Sequence, residues 1–435
     1  LLGTNDRMAD SELQWTLGSG WPRVGRSGTI TTKDEPYGLP GEVVERYSRQ
    51  MLMPNFGVQG QARLSASSVV VVGAGGLGCP AAMYLAGAGV GAIGIIDRGD
   101  VVDRSNLNRQ IGHSDDRVGE DKAVSLVKTL RALNPAIDVR GNSIGLTPKT
   151  AIALVSDFDL VLDCTDNPMS RYLLNDACVV TGRTLVSGAA IGCEGQVTVY
   201  SRDEESPCYR CLFPEAPPPS CVGTCDAAGV FGPVPGVIGT LQAMETIKLL
   251  SRPEGSRALI RRMVLYDGAD CSFRTVKLRS RSPSCIACGD GARIDVATFD
   301  YLAFLGCSIS GSEKMSDRAR LPVDPCHRLS PVDFRATLRS STCPLLIDVR
   351  PRSQFLMCRL PDSRNVPLSE LPGQLDDLRR SLVHPETPLM VVCRRGNDSQ
   401  RALTLLLDAG FTNAWDLIGG LDGWRSECDP SFPLY

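Results

Sequence analysis

Two pairs of cysteines in this sequence are spaced to bind a single metal ion. Two residues separate the members of each pair, an arrangement that presents two thiolates from one turn of the backbone. The four residues are Cys208, Cys211, Cys285 and Cys288. Four thiolates complete a closed tetrahedral shell around Zn²⁺, so the pattern predicts one structural zinc ion per chain, with no open position for a substrate. Because 73 residues, 212–284, separate the pairs, the ion would join distant loops of the fold.

A fifth cysteine, Cys393, has the surroundings of a reactive thiol. It follows the short apolar run Leu389–Val392 and precedes a loop with Gly396, after which the segment 399–409 has helical apolar spacing. This order predicts a cysteine at a strand end, in a tight loop that opens onto a helix. The N–H groups of such a loop and the positive end of the helix stabilise an anion, so we expect a lowered pKa for the Cys393 thiol and a site that can hold a persulfide.

Two other classes of protein use this type of loop: cysteine phosphatases and inactive docking domains. The residues of this sequence fit their requirements less well. A phosphatase needs an arginine six residues after the nucleophile to clamp phosphate, and Ser399 occupies that position. A domain kept only for docking would not need Cys393. Asp398, at the end of the loop, would repel the thiosulfate dianion, so we expect a protein persulfide to be the sulfur donor.

A G-x-G-x-x-G pattern, typical of a phosphate-binding turn, lies in the first half of the chain. Its glycines are Gly73, Gly75 and Gly78. The apolar run Ser68–Val72 precedes them and the helical segment 81–88 follows, so backbone N–H groups and a helix N-terminus would face the phosphates. Asp97 comes 19 residues after Gly78, at the end of the next strand, where a carboxylate accepts hydrogen bonds from both ribose hydroxyls. This pattern alone does not distinguish NAD from ATP.

Further polar and charged residues favour ATP over NAD. They are Ser105, Asn106, Arg109, Lys122, Asp166 and Asn167. Hydride transfer needs no such group, whereas attack on phosphorus spreads negative charge over oxygens that Arg109 and Lys122 would neutralise while Asp166 held Mg²⁺. Taken singly, each charged residue would be interpreted as a surface charge or, for Asp166, as a helix cap. Only their joint placement at the carboxyl edge of one sheet indicates function.

The composition fits a cytosolic enzyme of two or three domains. Of 435 residues 43% are hydrophobic, and 46 Lys and Arg oppose 49 Asp and Glu, for a net charge of −3. We therefore expect no direct binding to nucleic acid, and no apolar run approaches the roughly 20 residues that cross a bilayer. Seventeen cysteines, an odd number that includes two C-x-x-C pairs, indicate a reducing compartment, and residues 1–10 lack the apolar core of a signal peptide. With only three histidines, sites that need several histidine ligands or bases are excluded.

The apolar runs predict an α/β protein whose larger domain is a doubly wound, mostly parallel sheet of the Rossmann-like type. Its expected strands are Ser68–Val72, Ala92–Ile96, 159–163 and 184–186, and its expected helices include 81–88 and Lys122–Leu133. A smaller α/β domain has expected strands at 345–349, 389–393 and Ala414–Leu417. The predicted boundaries are a flexible tail over 1–40, the nucleotide domain over 41–290, a polar linker over 291–325 and the second domain over 326–435.

Several motifs together resemble the MoeB/ThiF branch of the ubiquitin-activating enzymes, over residues 41–290. They are the glycine turn and the stretches 105–110, 163–167, 187–190 and 208–212. The Cys393 loop and the stretches 346–350, 358–362 and 419–424 resemble a rhodanese domain, over residues 326–435. The two joined domains are therefore similar to enzymes that combine adenylyltransferase and sulfurtransferase activity.

The first resemblance implies adenylation of the C-terminal glycine carboxylate of a ubiquitin-fold carrier protein, with release of pyrophosphate. The implied roles are phosphate contact for Gly76, Arg109 and Lys122, ribose contact for Asp97 and metal binding for Asp166. The family also implies a homodimer in which Arg49 reaches the ATP of the partner subunit, although a simple surface arginine is the alternative. It places both cysteine pairs at one metal ion, which disfavours two unrelated pairs of reduced cysteines.

The same resemblance implies a role for Cys225. The segment 217–226 around it is rich in proline and glycine and is therefore expected to be irregular. Cys225 matches the conjugating cysteine of the family, so it would attack the acyl-adenylate or resolve an acyl-disulfide. Cys221, four residues earlier, could act likewise, and an idle exposed thiol is the remaining alternative.

The fusion resembles enzymes that serve molybdopterin synthase and the ubiquitin-related modifier of tRNA thiolation. This implies two carriers, the small subunit of molybdopterin synthase and that modifier, and a cysteine desulfurase as persulfide donor. A persulfide on Cys393 would attack the acyl-adenylate, and reduction of the acyl-disulfide would release a thiocarboxylate. Two alternatives are an activator that passes its carrier from Cys225 to a further enzyme, with the second domain for docking, and an NAD-dependent oxidoreductase.

Overall fold

The computed structural model describes residues 39–217, 229–252, 257–291, 294–306, 325–340, 344–382, 384 and 387–433. The chain divides into two compact units, Leu1–Ile309 and Ser310–Tyr435. Both units are α/β, and both contain a sheet with parallel strands, so the predicted fold class is confirmed. Among the described helices, none combines the length and the apolar character that a bilayer crossing requires.

The first unit is built on an eight-stranded sheet with strand order β3-β2-β1-β4-β5-β6-β7-β8. The strands are β1 Ser68–Val72, β2 Ala92–Ile96, β3 Asp138–Asn142, β4 Leu160–Asp163, β5 Thr184–Ile191, β6 Glu194–Tyr200, β7 Arg262–Asp267 and β8 Ser272–Lys277. β1 to β5 pair in parallel, and β5 to β8 pair antiparallel. The order reverses at β1, between β2 and β4, and this switch point is where such sheets bind ligands.

Helices cover both faces of this sheet. They are α1 Gly41–Met51, α2 Gly57–Ser65, α3 Gly78–Ala88, α4 Lys122–Leu133, α5 Ala151–Ser156, α6 Pro168–Thr181, α7 Tyr209–Leu212, α8 Pro233–Ser251 and α9 Tyr301–Phe304. Along β1, Val69 and Val71 face one apolar core while Val70 and Val72 face the other. A parallel strand that is covered on both faces needs an unbroken apolar run, which is why this valine sequence forms the central strand.

The predicted linker over 291–325 is wrong at its beginning. Residues 294–306 belong to the first unit and form the short helix α9. Val296 is 1% exposed and Tyr301 is 2% exposed, and both pack into the core beside α6. The apolar residues of this segment have no regular spacing, so the sequence did not reveal that they fill one cluster. Of the predicted tail, residues 1–38 lie outside the described residues.

The second unit has a five-stranded parallel sheet with strand order β11-β10-β12-β13-β9. Its strands are β9 Arg328–Leu329, β10 Leu345–Asp348, β11 Arg364–Asn365, β12 Leu389–Val392 and β13 Ala414–Leu417, and its helices are α10 Pro331–Leu338, α11 Arg352–Met357, α12 Leu371–Ser381, α13 Asp398–Asp408 and α14 Gly420–Glu427. Successive residues of β12 alternate between two cores, with Val391 in one and Met390 and Val392 in the other. Cys393 directly follows this central strand.

Candidate active sites and metal centre

The glycine turn lies at the carboxyl end of β1 and leads directly into α3. Gly73 has a φ of +103°, and a Cβ there would lie 2.5 Å from the carbonyl oxygen of Cys164. A Cβ on Gly78 would lie 1.8 Å from the carbonyl oxygen of Gly73. Both positions therefore require glycine. At Gly75 the nearest atom to a Cβ is 3.7 Å away, in the side chain of Gln110, so the middle of the turn is open to a ligand.

Asp97 follows β2 and is fixed beside the glycine turn. Its Oδ2 accepts a hydrogen bond from the N–H of Ala74 at 2.7 Å, and its Oδ1 accepts one from the N–H of Arg98 at 2.9 Å. Burial raises the pKa of the Asp97 carboxyl to about 6, although the Ala74 N–H and the charge of Lys122 oppose this rise. A carboxylate in this position can take hydrogen bonds from ribose hydroxyls, and its charge state changes near neutral pH.

Lys122 and Arg109 lie on segments that border the same edge of the sheet. Lys122 is the first residue of α4, its side chain is 11% exposed, and its Nζ is 3.5 Å from Oδ2 of Asp100. Arg109 donates from Nη2 to Oδ1 of Asn106 at 2.8 Å and from Nη1 to the carbonyl oxygen of Ser105 at 3.1 Å. The predicted residues 105, 106 and 109 thus form one hydrogen-bonded cluster.

Asp166 and Asn167 follow β4, the strand next to β1. Oδ1 of Asn167 accepts a hydrogen bond from the N–H of Ser170 at 2.9 Å, which makes Asn167 the N-cap of α6. The alternative interpretation of Asp166 as the helix cap is therefore wrong, because its neighbour has that role. The side chain of Asp166 is exposed at the carboxyl edge of the sheet.

Two buried polar groups near this edge were not predicted. Asp163 accepts hydrogen bonds from Oγ of Ser187 at 2.8 Å and from Oγ1 of Thr165 at 2.6 Å, and it lies 3.3 Å from Nε of Arg171. Arg171 also donates to the carbonyl oxygens of Thr165 and Gly188, at 3.0 Å each. Arg171 therefore holds the backbone just before Asp166, a contact that no local pattern announces.

The second missed group is His113. Its Nδ1 is 2.9 Å from Oγ of Ser125 on α4, and its Nε2 is 2.9 Å from the carbonyl oxygen of Ala74 in the glycine turn. Burial lowers the pKa of the imidazole, so His113 is neutral at physiological pH. The residue joins the glycine turn to the helix that begins with Lys122. The sequence offered one indication of its importance, namely that it is one of only three histidines.

The four predicted metal ligands come together in space. Their sulfur atoms all lie within 4.8 Å of one another. The Sγ atom of Cys208 is 3.6 Å from that of Cys285, and the Sγ atom of Cys211 is 3.4 Å from that of Cys288. A tetrahedral site with Zn–S bonds of about 2.3 Å has sulfur–sulfur separations of about 3.8 Å, so this cluster fits a zinc ion.

Arg210, between the first two metal ligands, forms a buried ion pair that the sequence did not reveal. Its Nε and Nη2 donate to Oδ1 and Oδ2 of Asp176 on α6, at 2.8 Å each, and both side chains are fully buried. Tyr301 of α9 donates from its hydroxyl to Oδ2 of the same carboxylate at 2.9 Å. The guanidinium carbon of Arg210 lies 4.5 Å from the centre of the Phe304 ring and 4.8 Å from that of Tyr172. This pair joins the metal centre to α6 and to residues 294–306.

In the second unit, Cys393 lies in the predicted loop between β12 and α13. Its Sγ accepts a hydrogen bond from the N–H of Gly396 at 3.1 Å and is 3.4 Å from Oγ of Ser399. The prediction of a lowered pKa is wrong for this conformation. Cys393 is only 2% exposed, and burial raises the pKa of its thiol more than Ser399 and the Gly396 N–H lower it, while the charge of Asp398 raises it further.

The remaining predicted residues are Arg49 and Cys225. Arg49 is exposed near the end of α1, while Cys225 and Cys221 lie outside the described residues. The structure therefore brings together the glycine turn, Asp97 and Lys122 at one edge of the first sheet. It also forms the metal cluster and surrounds Cys393 with hydrogen-bonding groups.

These features define a class of protein. A doubly wound sheet with a phosphate-type turn and a fixed carboxylate after the next strand is typical of a nucleotide-binding domain, and a cysteine held in a loop between a strand and a helix is typical of a domain with a reactive thiol. The chain therefore combines a nucleotide-binding unit with a unit that carries a reactive thiol.

The family follows from comparison with known proteins. Residues 47–287 match the ThiF family, and residues 330–427 match the rhodanese-like domain. The chain is 43% identical over 421 residues to the adenylyltransferase and sulfurtransferase MOCS3 of Arabidopsis thaliana, covering 93% of this chain and 88% of that protein. It is 44% identical over 405 residues to the protein of that name from Anopheles gambiae, covering 91% and 90%. The chain belongs to the ThiF family, in the group whose members carry a rhodanese-like domain and act as adenylyltransferases and sulfurtransferases.

The fold of the first unit is also found in a solved structure. The crystal structure of E. coli MccB has a TM-score of 0.51 and 24% sequence identity, and it covers 58% of this chain and 76% of that chain. At this identity the likeness concerns the fold alone.

Proposed function

We propose that this enzyme activates the C-terminal glycine carboxylate of a ubiquitin-fold sulfur carrier with ATP and replaces one carboxylate oxygen with sulfur from Cys393. The observation that carries the proposal is the pairing, in one chain, of a nucleotide edge formed by Asp97 and the glycine turn with a thiol held by the loop of a rhodanese-like domain. Neither unit alone performs both halves of the reaction.

In the first half, a carboxylate oxygen of the carrier attacks the α-phosphorus of ATP, and pyrophosphate leaves. The N–H groups around Gly75 and Gly76 would hold the phosphates, Asp97 would hold the ribose, and Arg109 and Lys122 would neutralise the charge that develops on oxygen. Ser105 and Asn106 would keep Arg109 in place through the contacts described above. Asp166 would bind Mg²⁺, which supplies further charge neutralisation when bound, and Asn167 orients this segment as a helix cap.

In the second half, sulfur replaces oxygen. The outer sulfur of a Cys393 persulfide attacks the acyl-adenylate carbonyl, AMP leaves, and the carrier is joined to Cys393 as an acyl-disulfide. A second thiol then attacks Sγ of Cys393, so that the thiocarboxylate leaves with the electron pair and a disulfide to Cys393 forms. Cys225 is our candidate for this second thiol. Asp398, which disfavours anions near the sulfur, supports a protein persulfide from a cysteine desulfurase as the donor.

The proposed carriers are the small subunit of molybdopterin synthase and the ubiquitin-related modifier of tRNA thiolation. The enzyme would therefore serve molybdenum cofactor synthesis and tRNA thiolation in the cytosol, without binding nucleic acid itself. The metal centre would hold one zinc ion in a structural role, because its four thiolates leave no open coordination position.

The geometry of α1 supports a homodimer in which Arg49 acts on the partner subunit's ATP. Gln50 donates from Nε2 to the carbonyl oxygen of Ala88 at 2.8 Å, and Tyr47 packs against Gly89. These contacts fasten α1 to the C-terminal end of α3, whereas the glycine turn is at the N-terminal end. Helix α3, with 11 residues, is about 16 Å long. An arginine side chain does not span that distance, so Arg49 would serve a different chain.

This arrangement predicts recovery of activity in a mixed dimer. Arg49→Ala and Lys122→Ala should each abolish ATP–pyrophosphate exchange as homodimers. In a heterodimer of the two, purified through two different affinity tags, one of the two sites regains both residues, so we expect about half of the wild-type exchange rate. If Arg49 acted on its own subunit, the heterodimer would show no such recovery. If it were only a surface residue, the Arg49→Ala homodimer would itself keep its exchange activity.

The raised pKa of Asp97 predicts pH-dependent ribose binding. The ionised carboxylate is the form that accepts hydroxyl protons, and with a pKa of about 6 its fraction falls roughly tenfold from neutral pH to pH 5. We therefore expect adenosine, which has no phosphate to titrate, to compete about tenfold less well against a fluorescent nucleotide at pH 5 than at pH 7.5. Asp97→Asn should bind weakly at both values, while Asp100→Asn should keep the pH dependence. An unchanged adenosine affinity in the wild type would contradict this role.

The overall function is tested by the mass of the product. A purified Gly-Gly carrier is incubated with the enzyme, ATP, Mg²⁺ and a persulfidated cysteine desulfurase, and its C-terminal peptide is analysed by mass spectrometry. We expect a mass gain that matches replacement of oxygen by sulfur. A carrier that stays unchanged, or that is found only as a thioester, would refute the proposal.

A further inference from the structure

A buried carboxylate lies behind the reactive cysteine of the second unit. Asp416 is on β13, next to β12, and is 0% exposed. Its Oδ2 accepts a hydrogen bond from Oγ of Ser399 at 3.1 Å, and the same Oγ is 3.4 Å from Sγ of Cys393. The three side chains form a continuous buried chain that the sulfur-transfer scheme above does not use.

The fourth member of this group is Arg328 of β9. Its Nε donates to Oδ1 of Asp416 at 2.9 Å, and its Nη2 donates to Oδ2 at 3.3 Å. An ion pair alone would account for Asp416 as a link between neighbouring strands. It does not account for Ser399, which is fully buried and is directed both at the carboxylate and at the sulfur.

We infer that Ser399 and Asp416 form a proton relay for Cys393, in which Ser399 contacts the sulfur and Asp416 is a positioning residue and the final proton acceptor. The S–H proton of Cys393 passes to Oγ of Ser399, and the O–H proton of Ser399 passes to Oδ2 of Asp416. The products are a thiolate, a reformed Ser399 hydroxyl and a neutral Asp416 carboxyl group. No proton leaves the protein and the net charge of the group is unchanged.

This transfer keeps the polar atoms of Cys393, Ser399 and Asp416 hydrogen-bonded. Before it, the thiol donates to Ser399, which donates to Asp416. After it, the new Ser399 hydroxyl donates to the thiolate, and the protonated Asp416 donates to Oγ of Ser399. The Gly396 N–H remains on the sulfur throughout. Because burial penalises a new charge, moving one negative charge within the site is easier than creating a second one there.

Each element that surrounds the relay also carries charged groups. They are Arg328 on β9, Asp348 at the end of β10 with its ion-pair partner Arg350, Arg394 and Arg395 in the loop, Asp398 at the start of α13, and Asp422 on α14, which lies 3.7 Å from Arg395. Asp398 opposes ionisation of Cys393 from the solvent side. The relay would let the thiolate form in spite of this neighbour.

The relay and a purely structural carboxylate predict different pH profiles for the wild type relative to Asp416→Asn. If Asp416 only holds Arg328 as a fixed negative charge, removing that charge favours the thiolate by the same factor at every pH, and the two profiles are parallel. If Asp416 takes the proton, the two groups titrate as a pair that shares one charge, and the thiolate fraction is nearly constant between the two macroscopic pKa values. Asparagine cannot take the proton, so the variant must lose this flat region.

The test measures alkylation of Cys393 in the full-length protein. The tryptic peptide 381–394 contains Cys393 as its only cysteine, so iodoacetamide labelling can be followed by mass spectrometry without removing other thiols. For the wild type we expect a rate that is nearly flat from about pH 6 to 8. For Asp416→Asn we expect a rate that rises about tenfold per pH unit, so that the ratio of its rate to the wild-type rate grows about tenfold per pH unit across the flat region.

Ser399→Ala keeps the Arg328–Asp416 ion pair and so separates folding from proton transfer. It should react more slowly than wild type throughout and should also lack the flat region. Thr404→Val, which removes a hydroxyl of the same helix that donates only to the carbonyl oxygen of Gln400, should match the wild-type profile. The relay is overturned if the wild-type rate rises with pH in parallel with that of Asp416→Asn, or if Ser399→Ala retains the flat region.

The inference rests on the proposed role of Cys393, but the two can fail separately. Alkylation measures the thiol itself and needs no carrier, ATP or sulfur donor. A flat wild-type profile that is lost in Asp416→Asn, without thiocarboxylate formation, would support the relay and refute the proposed substrate. Thiocarboxylate formation with parallel profiles would support the proposed function and refute the relay.

Discussion

Replacement of Cys393 by alanine should abolish thiocarboxylate formation and leave carrier adenylation intact. In our scheme Sγ of Cys393 carries the persulfide sulfur that acts as the nucleophile, so we expect a loss of at least roughly 10³-fold in the carrier mass assay. ATP–pyrophosphate exchange depends on the first unit, and we expect it to stay within about twofold of wild type because the variant removes no group from the nucleotide edge. The two assays on one preparation separate the halves of the reaction.

The matched control is Cys428→Ala, in the same unit. Cys428 is half-buried and its side chain has no role in our scheme, so both assays should stay near wild type. The comparison also decides between the two uses of the second domain. If it served only for docking, Cys393→Ala would still pass the carrier on as a thioester from Cys225, and thiocarboxylate would be missing from the wild type as well.

The second large effect is expected at Asp176. Asp176→Ala leaves the guanidinium of Arg210 buried without its carboxylate, and removing one partner of a buried ion pair destabilises a protein by about 3–5 kcal/mol. The same change removes the acceptor of the Tyr301 hydroxyl, so residues 294–306 lose a contact with α6. We expect the calorimetric transition of the first unit to move to lower temperature, while the transition of the second unit stays in place.

Two comparisons identify burial as the cause. Asp115→Ala breaks an exposed ion pair, in which the Asp115 side chain is 66% exposed and that of Arg104 is 76% exposed. This change should alter the free energy of unfolding by less than about 1 kcal/mol. The double variant Arg210→Met with Asp176→Leu removes both charges and should be more stable than Asp176→Ala alone. A single variant as stable as Asp115→Ala would show that the aromatic rings around Arg210 suffice to stabilise its charge.

Features that depend on neighbouring residues were predictable from the sequence. The helix Lys122–Leu133 has the predicted bounds, because Asp121 accepts a hydrogen bond from the N–H of Val124 and so fixes its start. The valine run of β1 and the glycine turn after it were predicted for the same reason. The cysteine pairs were predicted because two thiolates that bind one metal ion from a single turn must be separated by a nearly fixed number of residues.

The wrong or missing predictions concern residues that meet across the fold. Cys393 was correctly placed in its loop, but its burial, which raises the pKa of the thiol, comes from the core around β12. Ser399 was considered only as the wrong residue for a phosphatase, because its partner Asp416 is on another strand. Residues 294–306 were wrongly assigned to a linker. Their apolar side chains pack against α6, which is far away in the sequence, so the local pattern gave no sign of this contact.

The sequence by itself therefore determined the two-domain α/β architecture, the family and the residue types that carry nucleotide, metal and sulfur chemistry. These follow from short-range rules of backbone conformation, apolar spacing and ligand chemistry. Only the tertiary structure decided which buried charges are paired, where the first unit ends and how strongly the reactive thiol is shielded. Those properties depend on solvent exclusion and on contacts between distant segments, and both arise only when the chain has packed.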